Sequence, residues 1–562
     1  MKEAFVEPSV FKPKLFTTLK NYSFKQLRAD CLAGLIVGIV ALPLAIAFAI
    51  ASGVTPDRGL ITAVIAGFLI SALGGSRVQI GGPTGAFVVI VYSIVQKFGV
   101  DGLIMATFLG GLIMLLMGCM RLGVVIKFIP YPLTVGFTSG IALIIFSSQI
   151  KDFLGLAMPV NPAEFLEKWR TIFEHLHTAN LYALGLSIGT IMLILVWQKY
   201  IKAIPGAVIA LVLGTAVTHL FHLPVETIQT QFGSIPQHIP HPRMPVFHVE
   251  QIKLLMPAAL TIALLGSIES LLSAVVADGM IGGRHRSNTE LIAQGCANVA
   301  SSLFGGMPAT GAIARTATNV HNGGRTPVAG IVHAFTVLIS MVILGKWLVY
   351  IPMAVLAAIL VLVAYRMSEW KSFVMILRSP KSDVAILATT FLLTVLIDLT
   401  VAIQVGVVLS ALLFMNRLAN VANISVITKE FTDEEDRDDP LAISRRQIPD
   451  GVEVYEINGP FFFGIVSTFI QTMSEIDSRT RVRILRMRHV LSIDAAALNA
   501  LRQAFLLSQK NNIHLVLSGI HAQPLMAIQK DGLYDEIGED NICHNIDASL
   551  QRAAELLSQP GA

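Results

Sequence analysis

The sequence predicts an all-α polytopic membrane domain followed by a soluble α/β domain, on three observations. Of 562 residues, 54% are apolar and only 14% charged, with a mean hydropathy of +0.68; ordinary soluble domains carry roughly 25% charged residues. The charge is also uneven. Residues 421–562 hold 33 Asp, Glu, Lys and Arg, whereas the first 420 hold 45, so only the tail has enough charge to coat soluble domains. Finally, apolar runs recur through the front, while the tail alternates strand-like and helical periodicity. The expected organisation is a cytoplasmic N-terminal segment (1–30), a membrane domain (31–420), an acidic linker (421–441) and a tail domain (442–562).

Net charge follows the same division. The total of +4 is the sum of about +11 in the front and −7 in the tail, and the front's Lys and Arg sit singly between apolar runs. That argues against a nucleic-acid surface. Cys31, Cys119, Cys296 and Cys543 are too dispersed for metal-binding or disulfide spacing. The N-terminus lacks the order of a cleaved signal peptide.

A membrane-spanning helix needs about 20 apolar residues, fewer if it is broken. Fourteen segments qualify, around 31–51, 58–74, 83–97, 101–120, 122–148, 181–198, 203–221, 252–278, 288–304, 309–320, 326–345, 348–366, 383–400 and 401–419. Lys and Arg concentrate in alternate turns, including Arg77, Arg121, Arg284, Arg325 and Arg417. By the positive-inside rule these turns are cytoplasmic, and an even number of spans leaves both termini there. In the tail, Gly451–Ile457, Val482–Leu485 and Ile513–Leu517 read as strands, and Val466–Ile476, Ala495–Ser508 and Ala548–Leu557 as helices. A small sheet covered by helices follows.

Two short spans carry an echo. Leu73-Gly74-Gly75 precedes Gly82-Pro83-Thr84-Gly85-Ala86, and Phe304-Gly305-Gly306 precedes Pro308-Ala309-Thr310-Gly311-Ala312. The copies fall seven spans apart, so they run in opposite directions. Inverted repeats with broken helices mark transporters, whose half-helix N-termini present free N–H groups and a positive dipole end to an anion. Small residues would alternatively serve close helix packing; the matched pair favours the site.

Ionisable groups within spans are costly and so mark candidate sites. Glu269 lies mid-span, with Ser273 one turn on along the same face. An acid in such a low-dielectric place is a candidate proton carrier. Arg315 lies one turn into the second broken helix, where it could bind an anion or pair with Glu269. Asp398 reads as a helix-end residue. His175, His177, His222, His238, His241 and His248 read as solvated loop residues rather than metal ligands, and Phe461-Phe462-Phe463 as core or docking surface. No metal or organic cofactor and no nucleotide-driven pump is expected.

These segments, with Leu42-Pro43-Leu44-Ala45, Gly136-Phe137-Thr138-Ser139-Gly140 and Gly266-Ser267-Ile268-Glu269-Ser270-Leu271-Leu272, resemble the SulP (sulfate permease) family, relatives of the solute carrier 26 anion transporters. The tail resembles a STAS domain. The resemblance implies seven plus seven inverted spans arranged as core and gate domains, two broken helices, elevator-like alternating access and a homodimer in a bacterial inner membrane. Carried over residue by residue, the anion site comprises Thr84, Gly85, Ala86, Phe87, Ala312, Ile313 and Arg315. Glu269 is the proton-coupling residue, and Ala45, Phe48, Ser273 and Thr310 support them.

Sodium-coupled bicarbonate members of the family resemble the chain but place oxygen-bearing side chains where Leu265 and Ile313 stand. That favours H+ over Na+ as the coupling ion. A C4-dicarboxylate transporter resembles it through Gln149–Leu156 and Gly82-Pro83-Thr84, so sulfate, a C4-dicarboxylate and bicarbonate are the expected substrate classes. Phospho-switched STAS domains resemble Ser492–Leu498 but carry a hydroxyl at Ala495 or Ala496. A cytoplasmic regulator docking on the tail remains open without that switch. The rival readings are sodium-coupled bicarbonate uptake, and an anion channel or a sensor signalling through the STAS domain.

Overall fold

The computed structural model describes residues 11–123, 130–158, 162, 164–200, 205–234, 236, 238, 240–245, 249–421, 423–426, 446–474 and 479–558. Its contacts divide the chain into two units, residues 1–410 and 411–562.

The first unit is helical. Its main elements are α1 (Phe24–Ala51), α2 (Pro56–Leu73), α3 (Gly85–Cys119), α4 (Tyr131–Leu154), α5 (Phe165–His175), α6 (Leu181–Tyr200), α7 (Gly206–Leu220), α8 (Val249–Ile281), α9 (Ser287–Leu303), α10 (Ile313–His321), α11 (Pro327–Leu348), α12 (Met353–Met367) and α13 (Lys381–Leu396), and a last helix, α14 (Leu399–Val421), begins in this unit and ends in the second. Two two-residue strands, β1 (Gly81–Gly82) and β2 (Thr310–Gly311), precede α3 and α10. Among the described residues, nine helices are long and apolar enough to cross a membrane.

Local chemistry fixes several boundaries. Ser23 caps α1 by accepting the Gln26 N–H at 3.2 Å, and proline opens α2 and α11 at the first helical position, where the missing N–H costs nothing. Gly155 closes α4 at φ 62°, a left-handed conformation that glycine adopts without a Cβ penalty. Gly99, at φ 69° and ψ −173°, divides α3 into two arms, which accounts for the separate spans expected at 83–97 and 101–120. The span expected at 122–148 is instead a helix over Tyr131–Leu154; Pro130 and Pro132 set its start, because proline suits a first turn better than a helix interior. Asp398 ends the loop before α14 by accepting the Thr400 N–H at 2.7 Å, the helix-end role expected of it.

The helices pack in two groups. In the core group, α3 lies against α8 and α9, α11 against α1 and α2, and α10 against α8 and α1. In the second group, α4 packs on α12 and α13, and α6 on α7 and α12. Small residues allow the closest approaches: a Cβ on Gly111 would meet the Gly295 carbonyl at 2.9 Å, and one on Gly110 the Ala259 carbonyl at 3.1 Å. Such contacts suit helices in lipid, where packing drives association.

The second unit holds a five-stranded sheet in the order β3 (Asn423–Val426), β4 (Val452–Asn458), β5 (Val482–Arg486), β6 (His514–Ser518), β7 (Ile542–Cys543). The first pair is antiparallel and the others parallel. Helices α15 (Phe463–Ser474), α16 (Ala495–Lys510), α17 (Ala522–Asp531) and α18 (Ile546–Ser558) cover it. One apolar core, with Phe461, Phe469 and Leu501, and another, with Val454, Ile484 and Leu556, account for strands that are buried throughout. Phe461 is therefore core, whereas Phe463 is 56% exposed.

The sequence reading missed β3, which lies inside the expected acidic linker and adds an edge strand paired from Asn423 with Asn458. The acidic run 433–439 lies outside the described residues. Asp494 caps α16 through the Ala497 N–H at 2.8 Å and also accepts from Phe463 N at 3.0 Å, so it closes the turn at the segment where a phospho-switch would stand.

Candidate anion site

The site is assembled where the two echoed segments cross. β1 and β2 pair antiparallel, Gly81 opposite Gly311 and Gly82 opposite Thr310. Because each strand runs straight into a helix, α3 and α10 leave the crossing in opposite directions with their N-termini together. The first amides of a helix have no intrahelical acceptor, so those of Gly85 and Ala86 and of Ile313 and Ala314 supply donors there. Side chains cannot fill the crossing: a Cβ on Gly81 would run into Ile70, and one on Gly311 into Gln79.

α8 passes beside this crossing and contributes the acid. Thr84, at the N-cap of α3, donates its hydroxyl to Glu269 Oε2 at 3.1 Å. Glu269 is half-buried and remains reachable. Arg315 is 3% exposed and donates Nη2 to the Pro83 carbonyl at 2.5 Å, while its Nη1 has no hydrogen-bond partner among the described residues. Among the described residues it makes no ion pair with Glu269. The guanidinium thus braces one broken segment from the other and keeps one donor arm for a further acceptor.

The remaining expected residues divide between the opening and its frame. Phe48 reaches the site, its ring 3.4 Å from where a Gly85 Cβ would lie, and Met367 of the second helix group approaches the same point. Ile313 is 44% exposed. Ala86 is fully buried, so only its amide serves the helix end.

Phe87 is fully buried and packs its ring against Gly266, so it does not line the opening. The Ala312 N–H is spent on the Ile80 carbonyl at 2.8 Å. Thr310 is framework: its hydroxyl donates to the Gly266 carbonyl at 3.0 Å and meets Ser270 Oγ at 2.7 Å. Ser273 meets Thr316 Oγ1 at 3.4 Å, and Ala45 packs its carbonyl against Gly59 of α2.

Several buried polar groups escaped the sequence reading. Glu290 accepts the Gly75 and Ser76 amides at 2.8 and 3.0 Å, and Gln294 donates to it at 2.9 Å. It thereby holds the Gly74-Gly75 turn ahead of β1. Asn298 plays the matching part before β2, accepting Ala309 N at 2.8 Å and donating to the Ala309 carbonyl at 2.9 Å. Glu290 carried a usable signal, an acid at the start of the 288–304 apolar segment; a neutral Asn298 carried none. The described loop histidines form no group of three or more metal-binding side chains, and His248 lies outside the described residues.

Comparison with known proteins agrees with this architecture. The Sulfate permease family model matches residues 27–390, and the STAS domain model residues 445–553. The chain therefore belongs to the sulfate permease family, multi-pass membrane anion transporters related to solute carrier 26, and its tail is a STAS domain; it is a transporter and not an enzyme. The particular relatives include "Putative sulfate transporter YvdB" of Bacillus subtilis, 40% identical over 93% of this chain and 97% of that protein. "Bicarbonate transporter BicA" of Picosynechococcus is 30% identical over 94% and 95%. The structure of SLC26A9 superposes with a TM-score of 0.86 at 21% identity, covering 97% of this chain and 93% of that one, a likeness of fold. The transmembrane domain of a cyanobacterial BicA gives 0.62 at 31% identity over 68% and 98%.

Proposed function

We propose that this protein is a proton-coupled importer of a small oxyanion of the sulfate or bicarbonate class. The observation that carries the reading is the Thr84–Glu269 hydrogen bond at the meeting point of two helix N-termini, with Arg315 beside it. The amides and the guanidinium favour negative charge. A carboxylate at Glu269 repels the arriving anion, and the neutral acid does not, so anion and proton binding reinforce one another. The relatives' names support sulfate and bicarbonate; a C4-dicarboxylate rests on the sequence resemblance alone.

Proton rather than sodium coupling is supported by the poverty of oxygen ligands, since Leu265 and Ile313 flank Glu269 and the second broken helix and sodium seeks several oxygens. Packing in two helix groups supports elevator-like movement of the core group past the other. Placement in a bacterial inner membrane with cytoplasmic termini, a homodimer, and a STAS domain open to a regulator complete the reading, on the family resemblance.

The test is uptake of labelled sulfate, bicarbonate and succinate into proteoliposomes under an imposed proton or sodium gradient. Accumulation of sulfate or bicarbonate driven by protons alone supports the reading. Accumulation driven by sodium alone transfers it to sodium-coupled uptake, and flux without accumulation to a channel.

A further inference from the structure

His333 of α11 is fully buried, and neither ring nitrogen has a hydrogen-bond partner among the described residues. An imidazole enclosed this way costs stability that an apolar side chain would not, so its surroundings matter. They are the back of β1. A Cβ on Gly67 of α2 would lie 3.5 Å from His333 Cε1, 3.6 Å from its Nδ1 and 3.2 Å from the Gly81 carbonyl oxygen. One small gap therefore faces both the ring and the strand.

The strand's own hydrogen bonding explains why that carbonyl is there. Ile80 and Ala312 bond across the pair, and polar groups of successive strand residues point to opposite sides. Those of Gly81 consequently turn away from β2 toward α2 and α11. On the same side, Ser71 Oγ is buried without a hydrogen-bond partner among the described residues and lies against Gly330. The next residue, Gly82, sits directly against Arg315 Nη1, so close that a Cβ there would collide with it. That is the arm of Arg315 without a hydrogen-bond partner among the described residues. The Gly81–Gly82 peptide thus stands between His333 and Ser71 on one side and the guanidinium on the other.

We propose that His333 is a positioning residue for the anion site. Its ring supports the Gly81–Gly82 peptide from behind and so fixes where Arg315 presents Nη1. In this role the ring carries no transported proton. This rests on reading Arg315 as an anion ligand.

The experiment compares full-length wild type with His333→Leu, His333→Gln, Gly67→Ala and Arg315→Gln. It reads sulfate and bicarbonate uptake in proteoliposomes, and hydrogen exchange of the segment 78–86 in detergent. For His333→Leu we expect KM to rise about tenfold, as an apolar side chain behind the Gly81–Gly82 peptide lets it shift and misplaces the Arg315 arm, with the maximal rate within about twofold of wild type and faster exchange at 78–86. His333→Gln, which retains an N–H donor and a carbonyl acceptor, should return both readouts to near wild type and leave the pH profile of uptake in place. Wild-type KM and exchange in His333→Leu would overturn the proposal, as would a His333→Gln no better than His333→Leu. A displaced pH profile in His333→Gln would overturn it in favour of a proton-carrying ring. If His333→Leu is not recovered folded, Gly67→Ala, whose methyl fills the gap, decides by the same KM and exchange criteria. An unchanged KM in Arg315→Gln, or no uptake by wild type, would sink the anion-site reading; the exchange data still judge His333 by themselves.

Discussion

The Thr84 hydroxyl and the Glu269 carboxylate meet at 3.1 Å, and they come from spans 185 residues apart. Thr84 stands at the start of α3 without capping its own helix. Its hydroxyl is committed to the acid, leaving the first amides of α3 for another acceptor. Thr84→Val should raise the KM for the transported anion about tenfold, the scale of one hydrogen bond to a charged partner. Thr84→Ser should stay within about threefold. Initial-rate uptake across a substrate series separates the two.

Arg315→Lys should not rescue Arg315→Gln. A lysine ammonium is a point charge, whereas the arginine holds the Pro83 carbonyl with one nitrogen and has a second nitrogen without a partner among the described residues. Both substitutions should cost at least about tenfold in apparent affinity, measured as the KM of uptake. Full activity in the lysine variant would mean that charge alone suffices.

Asp30 is a second acid, after Glu290, that the sequence reading passed over. Fully buried, it accepts from Tyr22 OH at 2.9 Å, Arg325 N at 2.7 Å and Thr326 Oγ1 at 2.6 Å. It ties the start of α1 to the start of α11. Asp30→Ala should destabilise the membrane unit by about 3 kcal/mol, since buried donors lose a charged acceptor. Thermal unfolding in detergent reads this, and an unchanged midpoint would contradict it.

Burial, as the largest influence, pushes the Tyr455 phenol of the STAS domain up from its ordinary 10.0 to about 12. The fold thus favours the neutral phenol. Its contribution to stability is fully present below pH 10 and is lost as pH rises from about 10 to about 12. Tyr455→Phe should remove that part of the alkaline loss. Unfolding midpoints of the two proteins between pH 9 and 12 check this, and parallel curves would contradict it.

Glu269, Arg315 and the Gly-Pro-Thr-Gly echo were legible because charge and small residues stand out against apolar spans. Their pairing across the chain was only implied by symmetry, and β1–β2 made it explicit. Ala312 and Phe87 illustrate the limit: the first spends its amide on Ile80 and the second turns its ring onto Gly266, and backbone direction leaves no mark on composition. Asn298 and Ser270 are polar residues whose partners lie on other helices, so nothing local distinguished them. Likewise β3 is four residues long beside an acidic run, too short for periodicity to reveal.

The central claim is that Glu269 couples proton movement to anion uptake. The most direct measurement is the steady-state accumulation ratio of labelled sulfate and bicarbonate in proteoliposomes under an imposed proton gradient, for wild type and Glu269→Gln. Wild type should concentrate one of these anions severalfold, and Glu269→Gln, a fixed neutral mimic of the protonated acid, should equilibrate it without concentrating it. Equal accumulation by the two proteins would contradict the account.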